Sequence, residues 1–169
     1  KTKIHTYSAK IEGDFKEYSY PTDSELRLAV RAQVMLLNND TAGRWVNGSL
    51  GKIIEIKSNR EKNADSVLVK LAEGNIEEVL PFSWEIFHFS FNETISMIEA
   101  ETVGSFTQYP LKPAWAITIH KSQGKTFERV IIDMGRGAFD HGQTYVALSR
   151  CRSFEGISLV RPLRKSDIL

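Results

Sequence analysis

The sequence has a single cysteine and no long apolar run, and both shortages limit what the chain can be. With only Cys151 among 169 residues, no internal disulfide can form. This fits a reducing compartment, and we predict a cytoplasmic location. No apolar stretch approaches the about 18 residues that cross a bilayer, so we predict no membrane partner. The chain begins at Lys1 without methionine or a signal-like segment, which suggests an excised fragment or a processed product.

Metal ligands and excess charge are also scarce. His5, His88, His120 and His141 are not spaced like metal ligands, either among themselves or with the cysteine, so we predict no metal site. The formal net charge is +1, and any basic surface for nucleic acid must therefore be local. Hydrophobic residues make up 41% of the chain, which is enough for a packed core.

The first two thirds of the chain has the pattern of strands separated by turns. Residues 1–23 predict irregular or edge-strand structure. The run from Val30 to Leu37 alternates as a strand does. Asn47-Gly48 favours a tight turn, and the β-prone runs 66–71 and 76–80 are spaced as a hairpin. Further strand candidates are 50–56, 84–91 and 95–106. Four or five short strands within about sixty residues favour a small β-barrel.

The last third has an α/β pattern. Pro113 to Gln123 predicts a helix, because proline is favoured at a first helical position and Gly124 follows where a helix would stop. Residues 130–134 and 157–160 predict strands, and 141–150 predicts a second helix between them. Strand, helix and strand at this spacing imply a parallel sheet.

One block of small and polar residues, AITIHKSQG, carries the first candidate chemistry. Its donors Thr118, His120 and Lys121 are of the kind that contact phosphate, and Gly124 allows a close approach of the backbone to a ligand. A lone His-Lys pair would more often be a polar helix end with a glycine cap. The following GKT imitates the tail of a phosphate-binding P-loop. However, Ile119 stands where that motif requires glycine, and no other segment supplies one.

A second block, GQTYVALSR, ends in Ser149-Arg150. Arginine stays charged and offers a planar fork of donors, which suits a phosphate that is losing its leaving group. Presented to a γ-phosphate from a neighbouring domain, such an arginine accelerates hydrolysis by roughly 10³-fold or more. An isolated Ser-Arg pair is more often a helix end bound to carbonyl or carboxylate oxygens.

Two weaker features leave alternatives open. The alternating aromatic residues are either a platform on which bases stack or the core of the barrel, and core is the commoner use. They are Phe82, Trp84, Phe87, Phe89 and Phe91. Residues 161–165 form a short basic tail that either meets a phosphate backbone or is only a solvated terminus.

The blocks AWAITIHKSQGKTF and GQTYVALSRCRSFEGISL resemble motifs V and VI of the RecD-like superfamily-one helicases, the branch that includes the petite-integration-frequency helicases. AQVMLLNND with RWVNGSLGKI resembles the segment that leads from the second motor domain into an inserted barrel. The resemblance covers about residues 26–160 and implies an α/β fold. Residues 1–45 and 107–169 would form part of a RecA-like parallel-sheet domain, and 46–106 an inserted Src-homology-like β-barrel. Arg31 stands where the family usually has glycine, which leaves the turn or close packing there in question.

The function that the resemblance implies is that of a C-terminal motor fragment of an ATP-dependent DNA helicase, which moves along single-stranded DNA, typically 5′ to 3′. Thr118 and His120 would contact the DNA backbone, with Lys121 beside them. Gln123 and Gly124 would lie at the edge of the ATP site.

Catalysis in the family depends on a further residue and a further domain. By resemblance, Arg150 would bind ATP and reach its γ-phosphate as the catalytic residue. ATP and Mg²⁺ would be held mainly by an N-terminal RecA-like domain, so the fragment alone is expected not to hydrolyse ATP. Two alternatives remain: a non-enzymatic nucleic-acid- or protein-binding module derived from a helicase, and a self-standing β-barrel adaptor.

Overall fold

The computed structural model describes residues 3–59, 64–92 and 97–169, and it divides into two compact units, 1–115 and 116–169. Antiparallel strands dominate the first unit. Its strands are β1 (Ile4–Ser8), β2 (Lys10–Gly13), β3 (Glu25–Ala29), β4 (Gln33–Leu36), β5 (Leu50–Asn59), β6 (Ala64–Leu71), β7 (Ile76–Val79), β8 (Phe82–Asn92), β9 (Met97–Gln108) and β10 (Leu111–Pro113). A single 3-10 turn, Glu17–Ser19, lies between β2 and β3.

The strands of the first unit form three sheets. Five strands pair in the order β10-β4-β5-β6-β7, three in the order β2-β9-β8, and β1 pairs with β3. The predicted hairpin is confirmed, because β6 and β7 pair antiparallel across the turn at 72–75. Strands from the predicted barrel segment 46–106 therefore contribute to two sheets, and both sheets also include strands from outside that segment.

The predicted strand at 30–37 is confirmed only over its second half, as β4. Arg31 has a left-handed backbone, with φ of 75°, and it lies in the turn that separates β3 from β4. The backbone N–H of Arg31 donates to the carbonyl of Ile53 at 2.7 Å, which ties this turn to β5. A left-handed residue cannot continue an extended strand, so β4 begins at Gln33.

The core of the first unit comes from alternate positions of the five-stranded sheet and of β3. Because successive side chains on a strand point to opposite faces, alternate residues of β3 are buried, whereas β4 buries the three consecutive residues 34–36. The fully buried aliphatic members include Leu26, Leu28, Val34, Leu36, Ile53, Val67, Val69, Val79 and Leu111. A separate aromatic contact forms around Phe106 on β9, whose ring lies 4.8 Å from Tyr20 and 5.7 Å from Phe15.

The second unit contains short elements around a small core. They are a 3-10 turn (His120–Ser122), β11 (Val130–Ile132), α1 (Gln143–Leu148), a 3-10 turn (Phe154–Gly156), β12 (Ile157–Leu159) and a 3-10 turn (Lys165–Asp167). β11 and β12 pair in parallel, which confirms the predicted parallel connection, although both strands and α1 are shorter than predicted. Ile132, Met134 and Ala147 form the buried centre. Across the described ranges, no helix is long and apolar enough to cross a membrane.

The helix predicted at 113–123 is wrong. Pro113 lies in β10, opposite Val34, and only His120–Ser122 forms a helical turn, of the 3-10 type. The side chains in this segment compete for the backbone groups that an α-helix would use. Thr118 Oγ1 accepts from the N–H of Lys121, and the Ser122 hydroxyl donates to the carbonyl of Ile119 at 2.6 Å.

Candidate functional site

The loop that carries AITIHKSQG is closed by its own hydrogen bonds. The N–H of Ser122 donates to the carbonyls of Thr118 and Ile119, both at 3.1 Å, and the N–H of Gln123 donates to the carbonyl of His120 at 3.2 Å. Gly124 then has a left-handed backbone, with φ of 74° and open space where a side chain would begin. The loop therefore keeps a fixed backbone while its polar side chains, except that of the buried Ser122, stay at the surface.

Main-chain hydrogen bonds join the end of this loop to the end of the GQTYVALSR block. The N–H of Phe127 donates to the carbonyl of Arg150 at 2.8 Å, and the N–H of Arg152 donates to the carbonyl of Phe127 at 2.9 Å. These two bonds form a parallel bridge between Phe127 and Cys151. Phe127 and Arg150, 150 − 127 = 23 positions apart in sequence, thus bring the two blocks together in one site.

The side chain of Arg150 is half-buried, and carbonyl oxygens fix its direction. Its Nε donates to the carbonyl of Val146 at 3.0 Å, one terminal nitrogen donates to the carbonyl of Lys125 at 3.4 Å, and the other donates to Ser149 Oγ at 2.8 Å. Three guanidinium N–H groups are used in this way, and the rest remain available to an anion. No described carboxylate forms an ion pair with Arg150, so its positive charge is not neutralised within the described ranges.

Two of the predicted site residues share a small cavity with residues that the sequence reasoning gave no role. The cavity has a volume of about 60 Å³. His120 and Gln123 line it together with Asp140, His141 and Gln143. The side-chain oxygen of Gln143 accepts from the N–H of Phe139 at 2.9 Å, and the Phe139 ring lies 6.1 Å from the His120 ring. Gln143 is the second residue of the GQTYVALSR block, so its position in that block was the available signal.

The remaining predicted residues are exposed at the rim of the same loop. Thr118, Lys121 and Gly124 are exposed, and they are not among the residues that line the cavity. Arg150 also lies outside that lining and instead meets the loop at Lys125. The structure therefore brings His120 together with Gln123, and Arg150 together with the residue after Gly124. The part of the chain that the structure describes contains no cluster of groups able to hold a metal ion.

The C-terminal segment is anchored by an ion pair that sequence reasoning missed. Arg161 donates to both carboxylate oxygens of Asp167, at 2.7 and 2.8 Å, and the Arg164 N–H donates to the same carboxylate at 2.7 Å. The Arg161 guanidinium, followed by that N–H, holds the pKa of the Asp167 carboxyl well below its usual range. The Thr144 hydroxyl donates to the Asp167 carbonyl, which ties the segment to α1. The predicted basic tail is therefore folded back, at least at Arg161.

Positive charge is concentrated in the second unit. Residues 116–169 contain nine Lys and Arg and five Asp and Glu, a balance of 9 − 5 = +4, whereas the whole chain has only +1. By difference, residues 1–115 carry 1 − 4 = −3. The unit that contains the candidate site thus has the local basic character that binding of a polyanion requires.

The alternating aromatic residues of β8 divide into two groups. Phe82 and Trp84 are partly buried, and the Trp84 ring lies 6.1 Å from the buried Phe106 ring, so the core interpretation holds for these two. Phe87, Phe89 and Phe91 are exposed and have no such place in a core.

Comparison with known proteins shows similarity to one family of DNA helicases. The chain is 36% identical over 140 residues to the ATP-dependent DNA helicase Pif1 of Bdellovibrio bacteriovorus, covering 83% of this chain and 28% of the relative. It is 38% identical over 141 residues to the PIF1 helicase of Xenopus laevis, covering 83% of this chain and 20% of that relative. The chain thus spans about a fifth to just over a quarter of these curated relatives. No family model matches the chain.

Solved structures agree over almost the whole chain. Bacteroides Pif1 bound to single-stranded DNA superposes with a TM-score of 0.80 at 38% identity, covering 98% of this chain and 37% of that one. The same helicase in complex with ADP-AlF3 and single-stranded DNA gives a TM-score of 0.81 and covers 99% of this chain and 37% of that one. The Pif1 helicase of Candida albicans gives a TM-score of 0.77 at 30% identity, covering 99% of this chain and 42% of that one.

Proposed function

The chain belongs to the Pif1-like superfamily-one DNA helicases and corresponds to their C-terminal region, and from this premise we propose that it is the C-terminal part of a DNA motor. The motor couples ATP hydrolysis to movement along single-stranded DNA, in the 5′ to 3′ direction. Support comes from the Bacteroides relative, whose structures contain single-stranded DNA and ADP-AlF3.

The observation that carries the proposal is the main-chain connection between the two blocks. Phe127, three residues beyond the AITIHKSQG loop, and Arg150 are joined backbone to backbone, and we infer that a displacement of the loop reaches the residue that carries the guanidinium. In a motor, a DNA-contacting loop and a nucleotide-contacting arginine have to move together. This connection supplies such a coupling through two hydrogen bonds rather than through a flexible linker.

Arg150 is the residue that we assign to catalysis. Its guanidinium is oriented by carbonyl oxygens, and its remaining N–H groups can receive phosphate oxygens. Positive charge placed where the γ-phosphate gains charge stabilises the transition state for hydrolysis. Gln123 and Gly124 lie next to Lys125, whose carbonyl binds Arg150, so we assign these two residues to the edge of the ATP site.

We assign DNA contact to the exposed rim of the same loop. Thr118 and His120 are exposed and can donate to phosphate oxygens, and the ammonium group of Lys121 adds a positive charge beside them. The balance of +4 in residues 116–169 favours a polyanionic partner for this unit. Residues 1–115 have a formal net charge of −3 and therefore do not favour a polyanionic partner.

The rest of the ATP site belongs, in this proposal, to an N-terminal RecA-like domain of the same protein. The cavity beside His120 has about 60 Å³, far below the several hundred Å³ of ordinary ligand pockets, so it cannot enclose a nucleotide. The described ranges contain no carboxylate cluster suited to Mg²⁺, and the sequence has no P-loop. ATP and Mg²⁺ are therefore held mainly elsewhere, and this fragment alone does not hydrolyse ATP.

The domain boundaries form part of the proposal. Residues 1–45 and 107–169 belong to the second RecA-like domain, and 46–106 to an inserted small Src-homology-like β-barrel. The parallel pair of β11 and β12, with α1 between them in sequence, supports the RecA-like assignment of the C-terminal part. The antiparallel meander of β5, β6 and β7 supports an insert of a different architecture.

The test is ATP hydrolysis by the full-length gene product, measured with and without single-stranded DNA. The proposal predicts hydrolysis that single-stranded DNA strongly stimulates. DNA binding without hydrolysis would instead support the non-enzymatic binding module. The 169-residue chain, assayed in parallel, should show no hydrolysis above a blank.

A further inference from the structure

The far half of the β8–β9 hairpin exposes an apolar face that the structure leaves uncovered. Phe87, Phe89 and Phe91 are 45%, 66% and 62% exposed, and Ile98, opposite Phe91 in the register, is 70% exposed. Opposed residues of an antiparallel pair share a face, so these four side chains lie on one side of the hairpin. We call this set the hairpin face.

The hairpin face lies on the opposite side of β8 from the residues that pack inward. Side chains alternate along a strand, so Phe82 and Trp84 point to one side while the odd-numbered residues of β8 point to the other. The register shifts between Ile86 and Phe87, and Val103 on β9 is the residue left out of the pairing. Beyond this bulge, the side that holds Trp84 near the base of the hairpin holds His88 and Ser90, and the apolar residues occupy the other side. The apolar side chains of the hairpin face are therefore not part of the buried core of this unit.

The same part of the hairpin also has unpaired strand edges. β8 is the last strand in the order β2-β9-β8, so no described strand pairs with its outer edge. β2 pairs with β9 only over Gly104–Thr107, so among the described strands residues 97–103 have β8 as their sole neighbour. A two-stranded ribbon with free edges is marginally stable by itself and accepts an added strand.

The charge of the hairpin selects the chemistry of the occupant. Residues 82–108 contain four glutamates and neither lysine nor arginine. Glu101 is opposite His88 and Glu99 is opposite Ser90, so both lie on the other side of the hairpin from the hairpin face, whereas Glu85 alternates in step with Phe87 and shares its side. A polyanion such as DNA is repelled by this acidic hairpin, whose sequence supplies no lysine or arginine to bind it. A second copy of the hairpin would bring like charges together. A cationic partner is the one that gains from both the charge and the apolar side chains.

We infer that the hairpin face is a docking surface for a protein segment that is extended, basic and apolar on alternate positions. The apolar side chains of that segment cover Phe89 and Phe91. Its lysines or arginines alternate onto the opposite side of the hairpin, which carries Glu99 and Glu101, and its backbone pairs with the outer edge of β8. This interaction is separate from the motor assignment, since it uses no residue of the candidate nucleotide and DNA site.

The experiment uses the full-length gene product and a defined probe. The probe is a short dansyl-labelled peptide in which lysine alternates with valine, and binding is followed by fluorescence anisotropy. The test variant is the double substitution Phe89→Ser with Phe91→Ser. Its matched control is Tyr18→Ser, which removes an aromatic ring that is 89% exposed and distant in sequence. A charge variant combines Glu85→Gln with Glu101→Gln.

We expect the lysine–valine peptide to bind the wild-type protein and to lose at least about ten-fold in affinity in the Phe89/Phe91 variant, with Tyr18→Ser unchanged. The charge variant should weaken binding about two- to five-fold at low salt. DNA-stimulated hydrolysis should stay unchanged in all three variants, which separates this test from the motor proposal.

Several outcomes would overturn the inference. The first is failure of the peptide to bind the wild-type protein, which is also the result expected if another part of the full-length protein already covers the face. The second is equal binding of a peptide with glutamate in place of lysine, because the charge argument would then be wrong. The third is self-association that disappears in the Phe89/Phe91 variant, which would identify a second copy as the occupant. The fourth is loss of DNA affinity in that variant, which would make the face a base-stacking platform.

Discussion

Replacing Arg31 by glycine should stabilise the chain, because Arg31 is held in a backbone conformation that only glycine adopts without cost. Its φ is 75°, in the turn between β3 and β4. For an L-residue this conformation costs about 1–2 kcal/mol. Glycine removes this cost, but it also gives the unfolded chain more conformational freedom, which lowers the stability of the folded state by about 0.4–1 kcal/mol. The expected net effect is a stabilisation of about 1 kcal/mol.

The structure indicates that little else is lost in Arg31→Gly. The side chain is exposed, and no described residue forms a hydrogen bond or an ion pair with it. The backbone N–H that donates to the Ile53 carbonyl remains in the glycine variant. For a chain of this length, about 1 kcal/mol corresponds to a rise of about 2–4 °C in the midpoint of thermal unfolding.

The assay is thermal unfolding followed by circular dichroism, with two controls. Arg31→Ala removes the same side chain but leaves the left-handed strain, so its midpoint should stay within about 1 °C of the parent. Arg27→Gly removes an exposed arginine from the extended strand β3, where glycine destabilises by about 0.5–1 kcal/mol. An unchanged or lower midpoint in Arg31→Gly, with Arg31→Ala equal to the parent, would show that the left-handed backbone at this position costs no stability.

Three further predictions follow from the site and its supports. Gly104→Ala should destabilise by about 1–3 kcal/mol in urea unfolding, because an added Cβ would lie 2.8 Å from the carbonyl carbon of Asp14; an unchanged midpoint would show that the β9 backbone can shift. Asp167→Asn should lower the thermal midpoint at neutral pH. Because the folded-state pKa of Asp167 is depressed, the contribution of its carboxylate to folding stability is complete above pH of about 4 and is lost as the pH falls through the folded-state pKa. The difference in thermal midpoint between Asp167→Asn and the parent should therefore narrow in acid. His120→Ala in the full-length protein should reduce DNA-stimulated ATP hydrolysis more than basal hydrolysis, and equal losses in both assays would make His120 structural.

Local sequence patterns predicted the strands better than the helices, for a physical reason. The hairpin of β6 and β7 follows from β-prone runs around a glycine turn, both of which are local properties. The segment after Pro113 has the composition of a helix start. However, pairing of Pro113 with Val34 and the hydrogen bonds of Thr118 and Ser122 decide the outcome. Such tertiary and side-chain interactions are not visible in residue spacing.

The candidate site was predictable in part. The resemblance pointed to His120, Gln123 and Arg150, and the structure places the loop that holds the first two against Arg150 through Lys125. Asp167 could not be found in this way, because its role depends on the chain folding back to Arg161 and to α1. The exposure of the second half of β8 could not be predicted either, because a strand with alternating aromatic residues has the same sequence pattern whether or not other elements cover it.

The most direct test of the central claim is ATP hydrolysis by full-length protein carrying Arg150→Ala, with binding of single-stranded DNA measured on the same preparation. Arg152→Ala is the matched control, because it removes a neighbouring arginine that is exposed and paired only with Glu128 among the described residues. We expect Arg150→Ala to lower turnover by roughly 10³-fold or more with DNA affinity kept, and Arg152→Ala to stay near the wild type. Unchanged turnover in Arg150→Ala would contradict the assignment of Arg150 to the γ-phosphate.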